Sequence, residues 1–145
     1  MTRPDWHTYF MRIAEDVATR GTCAQRQVGC VLVSADHRIL ATGYNGPPTG
    51  RPNCTEHPCP GATSKQGEGL YTCEAVHAEM NALMQCSDVR LIDTVYCTVS
   101  PCFRCTGPLL NTAAKAVVFL EAHHHPQPED LWRSTGRNWS QLENA

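Results

Sequence analysis

Two short motifs in this chain cannot be folded independently of each other. Residues 77–79 read His-Ala-Glu at the head of an apolar run with helical periodicity, and residues 101–105 read Pro-Cys-Phe-Arg-Cys just after a β-branched run. His77, Cys102 and Cys105 are the donor set of a catalytic zinc, which takes three protein ligands and keeps a fourth tetrahedral position for water. Two thiolates and a neutral imidazole balance the dication and leave it able to acidify that water. Glu79 follows the histidine by two residues, so it can face the same pocket without binding metal, as a proton shuttle should. Each arm opens a helix, and the residues between supply the strand that joins them. Apart from each other the motifs say little: a lone His-x-Glu is nearly uninformative, and a lone Cys-x-x-Cys is more often structural zinc or redox.

Nine cysteines in 145 residues need a use. Their odd number and the absence of a leader argue against a disulfide framework, so metal is the better explanation. The opening residues are interrupted by charge too often for a signal peptide, and no run reaches the about 18 apolar residues that span a bilayer. A cytoplasmic location is expected. The formal net charge is −2, so long nucleic acid is disfavoured as a partner, since binding it needs clustered Lys and Arg. A small anion needs only one or two placed cations.

The chain reads as one domain over 1–145, with a core at about 6–122 and a polar C-terminal tail at 123–145. Trp6, Tyr9, Phe10, Ile13, Ala14 and Val17 recur at helical spacing, with Gly21 near the end of that helix. Residues 27–34 and 38–45 read as strands joined by a tight turn. Residues 46–69 hold five of the ten prolines and five of the ten glycines, an irregular loop long enough to need a function or a tether. A helix from about Glu74 to Gln85, a strand over 93–100, a helix with Pro101 in its first turn and a strand over 115–122 follow. One short helix is expected in the tail, around residues 128–135. This order predicts an α/β fold, a mixed sheet with helices on its faces.

The stretches TGYNGPPTG (42–50), Asn53-Cys54, CEAVHAEMNAL (73–83) and SPCFRC (100–105), in this order, resemble the deoxycytidylate (dCMP) deaminases of bacterial or phage type, over roughly residues 6–122. The His-x-Glu…Pro-Cys-x-x-Cys pair is the signature of zinc deaminases. The resemblance implies the cytidine deaminase-like three-layer α/β/α sandwich. It also implies hydrolysis of dCMP to dUMP and ammonia, supplying dTTP synthesis. Glu79 would take a proton from the attacking water, protonate N3, and then pass a further proton to the departing amine. Asn45 and the backbone near Ser100 would contact the nucleotide, and Arg26 is the candidate for its phosphate. Relatives often carry a tyrosine near position 124. Here 123–125 are all histidine, so His124 is the candidate replacement, against the plain reading of a polar surface loop.

The same resemblance implies a second, structural zinc that pins the 46–72 loop. Cys23, Cys54, Cys59 and Cys73 are its expected ligands, with His57 competing for the fourth place. Cys30, Cys86 and Cys97 sit in apolar patterns and read as small buried hydrophobes. A homohexamer, activated by dCTP and inhibited by dTTP at a site including Gly43, Tyr44, Asn45 and Gly46, is further implied, with Mg2+ a candidate companion of the triphosphate. Asn-Gly turn chemistry alone would also account for that tetrapeptide. Gly107 and Pro108 depart from the family's uninterrupted helix, and Pro108 is expected to kink it. The alternatives are a deaminase of the same fold acting on a free nucleoside or a nucleic-acid base, and a non-catalytic zinc module that binds nucleotides. Glu79 argues against the last, because binding alone needs no proton shuttle.

Overall fold

The computed structural model describes residues 2–58 and 73–143. Its first helix, α1 (Trp6–Ala18), starts where the Asp5 carboxylate accepts the Thr8 N–H at 2.7 Å, an N-cap that satisfies one of the orphan donors of the first turn. It buries Phe10, Met11, Ala14 and Ala18, with Ile13 and Val17 partly covered. Trp6 and Tyr9 belong to the same periodic set but remain 45% and 43% exposed. Trp6 instead stacks on the imidazole of His37, 4.2 Å between ring centres, at the turn between the first two strands.

The sheet has the order β2-β1-β3-β4-β5. β1 (Gly29–Ser34) runs antiparallel to β2 (Ile39–Tyr44) on one side and to β3 (Ile92–Val99) on the other. β3, β4 (Ala116–Glu121) and β5 (Asn138–Gln141) are mutually parallel. Every residue of β1 is buried, as expected for a strand covered on both faces. Val31, Val33, Tyr96 and Val118 pack under α1. Cys30, Leu32, Val95, Val117 and Phe119 point the other way, against α2 (Ala78–Gln85), α3 (Phe103–Leu110) and α4 (Gln127–Arg133). This is the expected three-layer α/β/α sandwich of the cytidine deaminase-like kind. The helices lie very close on the sheet. A Cβ on Gly29 would stand 2.0 Å from the Ala14 carbonyl oxygen, and one on Gly43 would stand 2.4 Å from backbone atoms of Ala78 and Ala82.

Two sequence expectations shift, at the start of α2 and at Pro101. The second helix begins at Ala78, four residues later than the pattern at Glu74 predicts. Val76 is the reason: its N–H and carbonyl are both engaged by Gly46, at 2.8 and 3.2 Å, which holds the chain extended up to His77. Pro101 lies before α3 rather than in its first turn, because Cys102 is the N-cap. Pro108 is tolerated within α3, which ends two residues later at Leu110.

The tail is more than a polar extension with one helix. Gly136, at φ +82°, turns the chain out of α4 and into β5, which extends the sheet. Trp132 is completely buried and Trp139 is 6% exposed, with their ring centres 6.3 Å apart, and the Trp132 indole N–H donates to the Asn138 carbonyl at 2.7 Å.

Candidate metal centre and the cleft beside it

Two helix starts meet at one point. His77 is the N-cap of α2 and Cys102 the N-cap of α3, and neither spends its side chain on capping. Each has extended backbone, with ψ of 154° and 171°, which lets the side chain leave its own helix axis. Cys105 follows one turn into α3, its N–H bonded to the Cys102 carbonyl at 3.2 Å. The Nδ1 of His77 lies 3.4 Å from both sulfurs, and all three candidate ligand atoms fall within 4.8 Å of one another. Zn–N and Zn–S bonds of about 2.0 and 2.3 Å set tetrahedrally would put N and S about 3.5 Å apart. The donor set therefore fits zinc in chemistry and in spacing.

Electrostatics at this point favour charge separation. The Cys102 thiol is held well below its ordinary range, chiefly by the hydrogen bond from Cys105 and then by His77. His77 is raised in turn, first by its hydrogen bond with Cys102. Glu79, in the first turn of α2, is 3% exposed. Burial raises its carboxyl above the usual range, opposed by a hydrogen bond from Cys105 and by the His77 charge.

Ser100 follows the last residue of β3, two positions before the ligand Cys102. Its N–H donates to the Glu121 carbonyl at 2.8 Å, and its Oγ accepts the backbone N–H of His123 at 2.8 Å. Beyond it a cavity of about 210 Å³ is lined by Ser100, His123, His125, Glu129, Arg133 and Gln141, over the rings of Phe119 and Trp139. His124 is exposed and does not line it. Sequence reasoning thus placed emphasis on the middle histidine, whereas its two neighbours face the cleft.

Arg26 is ion-paired with Glu121, with 39% of its side chain exposed. Asn45 is 7% exposed and already braces the chain: its amide nitrogen donates to the Arg26 carbonyl at 2.7 Å, and its oxygen accepts the Val28 N–H at 2.8 Å. One amide N–H and one lone pair stay available to a ligand. The other members of the 43–46 tetrapeptide have structural duties too. Gly43 admits α2, the Tyr44 carbonyl accepts from Asn81 at 2.8 Å, and Gly46 pairs with Val76.

Around the long loop, Thr55 N–H donates to the Thr22 carbonyl at 3.2 Å, which sets Cys23 and the 1%-exposed Cys54 on adjoining backbone. A two-pronged ion pair from Arg51 to Glu74, at 2.9 and 3.3 Å, draws the segment of Cys73 toward that of Cys54. The expected fourth ligand, Cys59, lies outside the described residues. His57 is exposed. Cys30 and Cys97 are fully buried cross-strand partners with sulfurs 3.8 Å apart, and Cys86 packs against the same core, as read from their apolar surroundings.

Known proteins resemble this chain. The deoxycytidylate deaminase of Mycobacterium phage D29 is 40% identical over 126 residues, which cover 82% of this chain and 97% of that one. The deoxycytidylate deaminase of Saccharomyces cerevisiae is 38% identical, but the chain spans only 40% of its length. The crystal structure of the dCMP deaminase from cyanophage S-TIM5 in complex with dCMP and dUMP superposes with a TM-score of 0.78 at 25% identity, covering 98% of this chain and all of that one. A family model for the cytidine and deoxycytidylate deaminase zinc-binding region matches residues 4–121, a span that takes in both helix starts and every side chain at their meeting point. With His77, Cys102 and Cys105 converging as they do, the chain belongs to the cytidine and deoxycytidylate deaminase family.

Proposed function

We propose that this chain is a zinc-dependent hydrolase that converts dCMP to dUMP and ammonia, supplying dUMP for dTTP synthesis. The observation that carries the reading is the buried Glu79 beside a converged His77, Cys102 and Cys105. The phage D29 and cyanophage relatives lend it their substrate, because the matches cover 82% and 98% of this chain and 97% and 100% of those proteins. Bound zinc would supply Lewis acidity, lowering the pKa of a water molecule. Glu79 takes one proton of the attacking water and delivers it to N3 of cytosine, then takes the remaining proton from the hydroxyl added at C4 and delivers it to the leaving amine. Its burial keeps bulk water from competing for that proton. Ser100, held in place by Glu121 and His123, presents backbone to the nucleotide, and the remaining hydrogen-bonding capacity of Asn45 serves the sugar. Arg26 offers its guanidinium to the phosphate by exchanging Glu121 for it.

The fuller reading includes a second, structural zinc on Cys23, Cys54, Cys59 and Cys73, supported by the approach of the first two. It also includes a cytoplasmic homohexamer that dCTP, with Mg2+, activates and dTTP inhibits, through Gly43, Tyr44, Asn45 and Gly46. Tyr44, 38% exposed at the end of an edge strand, is the side chain of that set most open to an effector. No described helix is long and apolar enough to cross a membrane.

Ammonia release from dCMP, deoxycytidine and CMP, each with and without dCTP or dTTP plus Mg2+, tests the reading. Turnover confined to dCMP, raised by dCTP and lowered by dTTP, is expected. Equal turnover of deoxycytidine would remove the phosphate from the argument. Glu79→Gln should retain zinc and lose about 10²–10⁴-fold in kcat, the usual range for general acid–base catalysis. Unchanged turnover in that variant would sink the mechanism.

A further inference from the structure

A metal ligand at a helix start displaces the cap that the start would otherwise have. His77 is the N-cap of α2, but its imidazole is turned to Cys102 and Cys105 and caps nothing. The orphan donors there lack the usual Ser, Thr, Asp or Asn side chain, so the first turn, which carries Glu79, needs another restraint. That restraint comes from both flanks of the site and from one short stretch of chain. Just before His77, Val76 exchanges two backbone hydrogen bonds with Gly46, at 2.8 and 3.2 Å. One turn after His77, the Asn81 side-chain amide donates to the Tyr44 carbonyl at 2.8 Å and, more weakly, to the Val76 carbonyl at 3.5 Å. His77 and Glu79 are thus slung between two attachments to residues 44–46.

Asparagine is a poor choice at position 81 if only the helix matters, because its side chain competes for backbone groups and makes it a weak helix former. Its backbone serves the helix by donating to the His77 carbonyl at 3.0 Å, while its side chain leaves the helix for the strand. The gap it bridges is narrow. A Cβ on Gly43 would stand 2.4 Å from both the Ala78 carbonyl oxygen and the Ala82 nitrogen. Tyr44 is 38% exposed at the end of an edge strand, where water can serve its carbonyl as well as Asn81 does. Water satisfies the carbonyl, but it does not fix the distance between strand and helix.

We infer that Asn81 is a positioning residue of the metal centre: its amide locks the first turn of α2 onto the end of β2, and so sets where His77 meets the two cysteines and where the Glu79 carboxyl stands. It acts through those two residues. The inference rests on the reading of the chain as a zinc-dependent deaminase. Groups that orient metal ligands typically carry about 10–100-fold in metal affinity or activity, and a catalytic group misplaced by about 1 Å can lose 10²-fold.

The test compares Asn81→Ala and Asn81→Asp with the wild type. Alanine is the best helix former, and an acidic side chain near a helix N-terminus suits its dipole, so neither change weakens α2 itself. Aspartate also keeps the shape of asparagine, but when ionised it has no donor for the Tyr44 carbonyl. In the metal-free state both variants should keep the thermal midpoint within about 2 °C, the scale of a surface substitution. Zinc-loaded, both should lose about 10–100-fold in kcat on dCMP with little change in KM. Zinc affinity, read by competition with a chromogenic chelator, should fall by about 10–100-fold, and the visible absorption bands of the cobalt(II)-loaded protein should shift. Wild-type kcat, zinc affinity and cobalt bands in both variants would overturn the inference. A lowered thermal midpoint with those three unchanged would overturn it too, leaving Asn81 a purely structural residue. If the wild type turns over no cytosine nucleotide, the parent reading fails instead, and zinc affinity and the cobalt bands still decide the role of Asn81.

Discussion

Cys102 and the pair Cys30–Cys97 show how position alone sets the chemistry of a thiol. Cys102 caps a helix whose N-terminal dipole favours an anion, and it receives hydrogen bonds from Cys105 and His77, so its thiolate is favoured. Cys30 and Cys97 are fully buried between strands, and both are raised. In the metal-free protein at pH 6, iodoacetamide should therefore modify Cys102 while leaving Cys30 and Cys97 untouched. Zinc should protect Cys102. Mass mapping of the modified peptides checks this, and labelling of Cys97 ahead of Cys102 would contradict it. Tyr96 makes a second residue-scale case. Burial, with Asp93 and Asp5 nearby, pushes its hydroxyl up to about 12, and the hydroxyl bonds His7 Nδ1 at 2.8 Å. Above pH 10 the unfolded chain ionises this tyrosine while the native chain keeps its proton, so stability falls between about pH 10 and 12. The loss should be on the order of 2 kcal/mol. Urea midpoints at pH 9.5 and 11.5 should show a drop in the wild type that is smaller in Tyr96→Phe.

At the scale of elements, α4 and β5 demand the most explanation, because they close the sheet and wall the cleft with residues that read as a polar tail. Their anchors are Trp132 and Trp139. Trp132→Ala empties a fully buried site and should cost about 3–5 kcal/mol, measured as a fall in the urea midpoint. A loss under about 1 kcal/mol would mean that the tail docks only weakly. This segment was hard to read because a four-residue edge strand offers too few alternations to establish a period, and its hydrophobic content is concentrated in two indoles. The two tryptophans and Gly136 were the signal, and it was a tertiary one. The metal ligands were legible for the opposite reason. Cys102 and Cys105 are one helical turn apart, and His77 and Glu79 share one helix start, so local geometry already constrains each half of the site. The start of α2 was misplaced because a long-range bridge from Gly46 to Val76 overrides helix propensity at residues 74–77. The cleft histidines depend on where the chain turns after β4. Spacing along the sequence does not encode that.

For the molecule as a whole, the metal centre is a cross-link between distant parts of the chain. His77 arrives on a helix tied to β2 through Gly43, while Cys102 and Cys105 arrive from the end of β3. A ligand that binds only the folded arrangement stabilises it by mass action, by about 4 kcal/mol when free zinc is a thousandfold above Kd. The proposed second site would act in the same way on the 46–72 loop, whose ends are already drawn together by Gly46–Val76 and Arg51–Glu74. The two contributions can be separated by stoichiometry. Wild-type protein should hold two zinc ions per chain, and Cys105→Ser and Cys54→Ser should each hold one. Chelation should lower the thermal midpoint of the wild type by on the order of 10 °C, and by less in either variant. Cys54→Ser should keep the zinc beside Glu79, and with it turnover, whereas Cys105→Ser should lose both. Metal analysis of the three proteins, paired with ammonia release, distinguishes the two sites. One zinc in the wild type, and the same one in Cys54→Ser, would mean that the long loop is held by its backbone bridge and ion pair without a metal of its own.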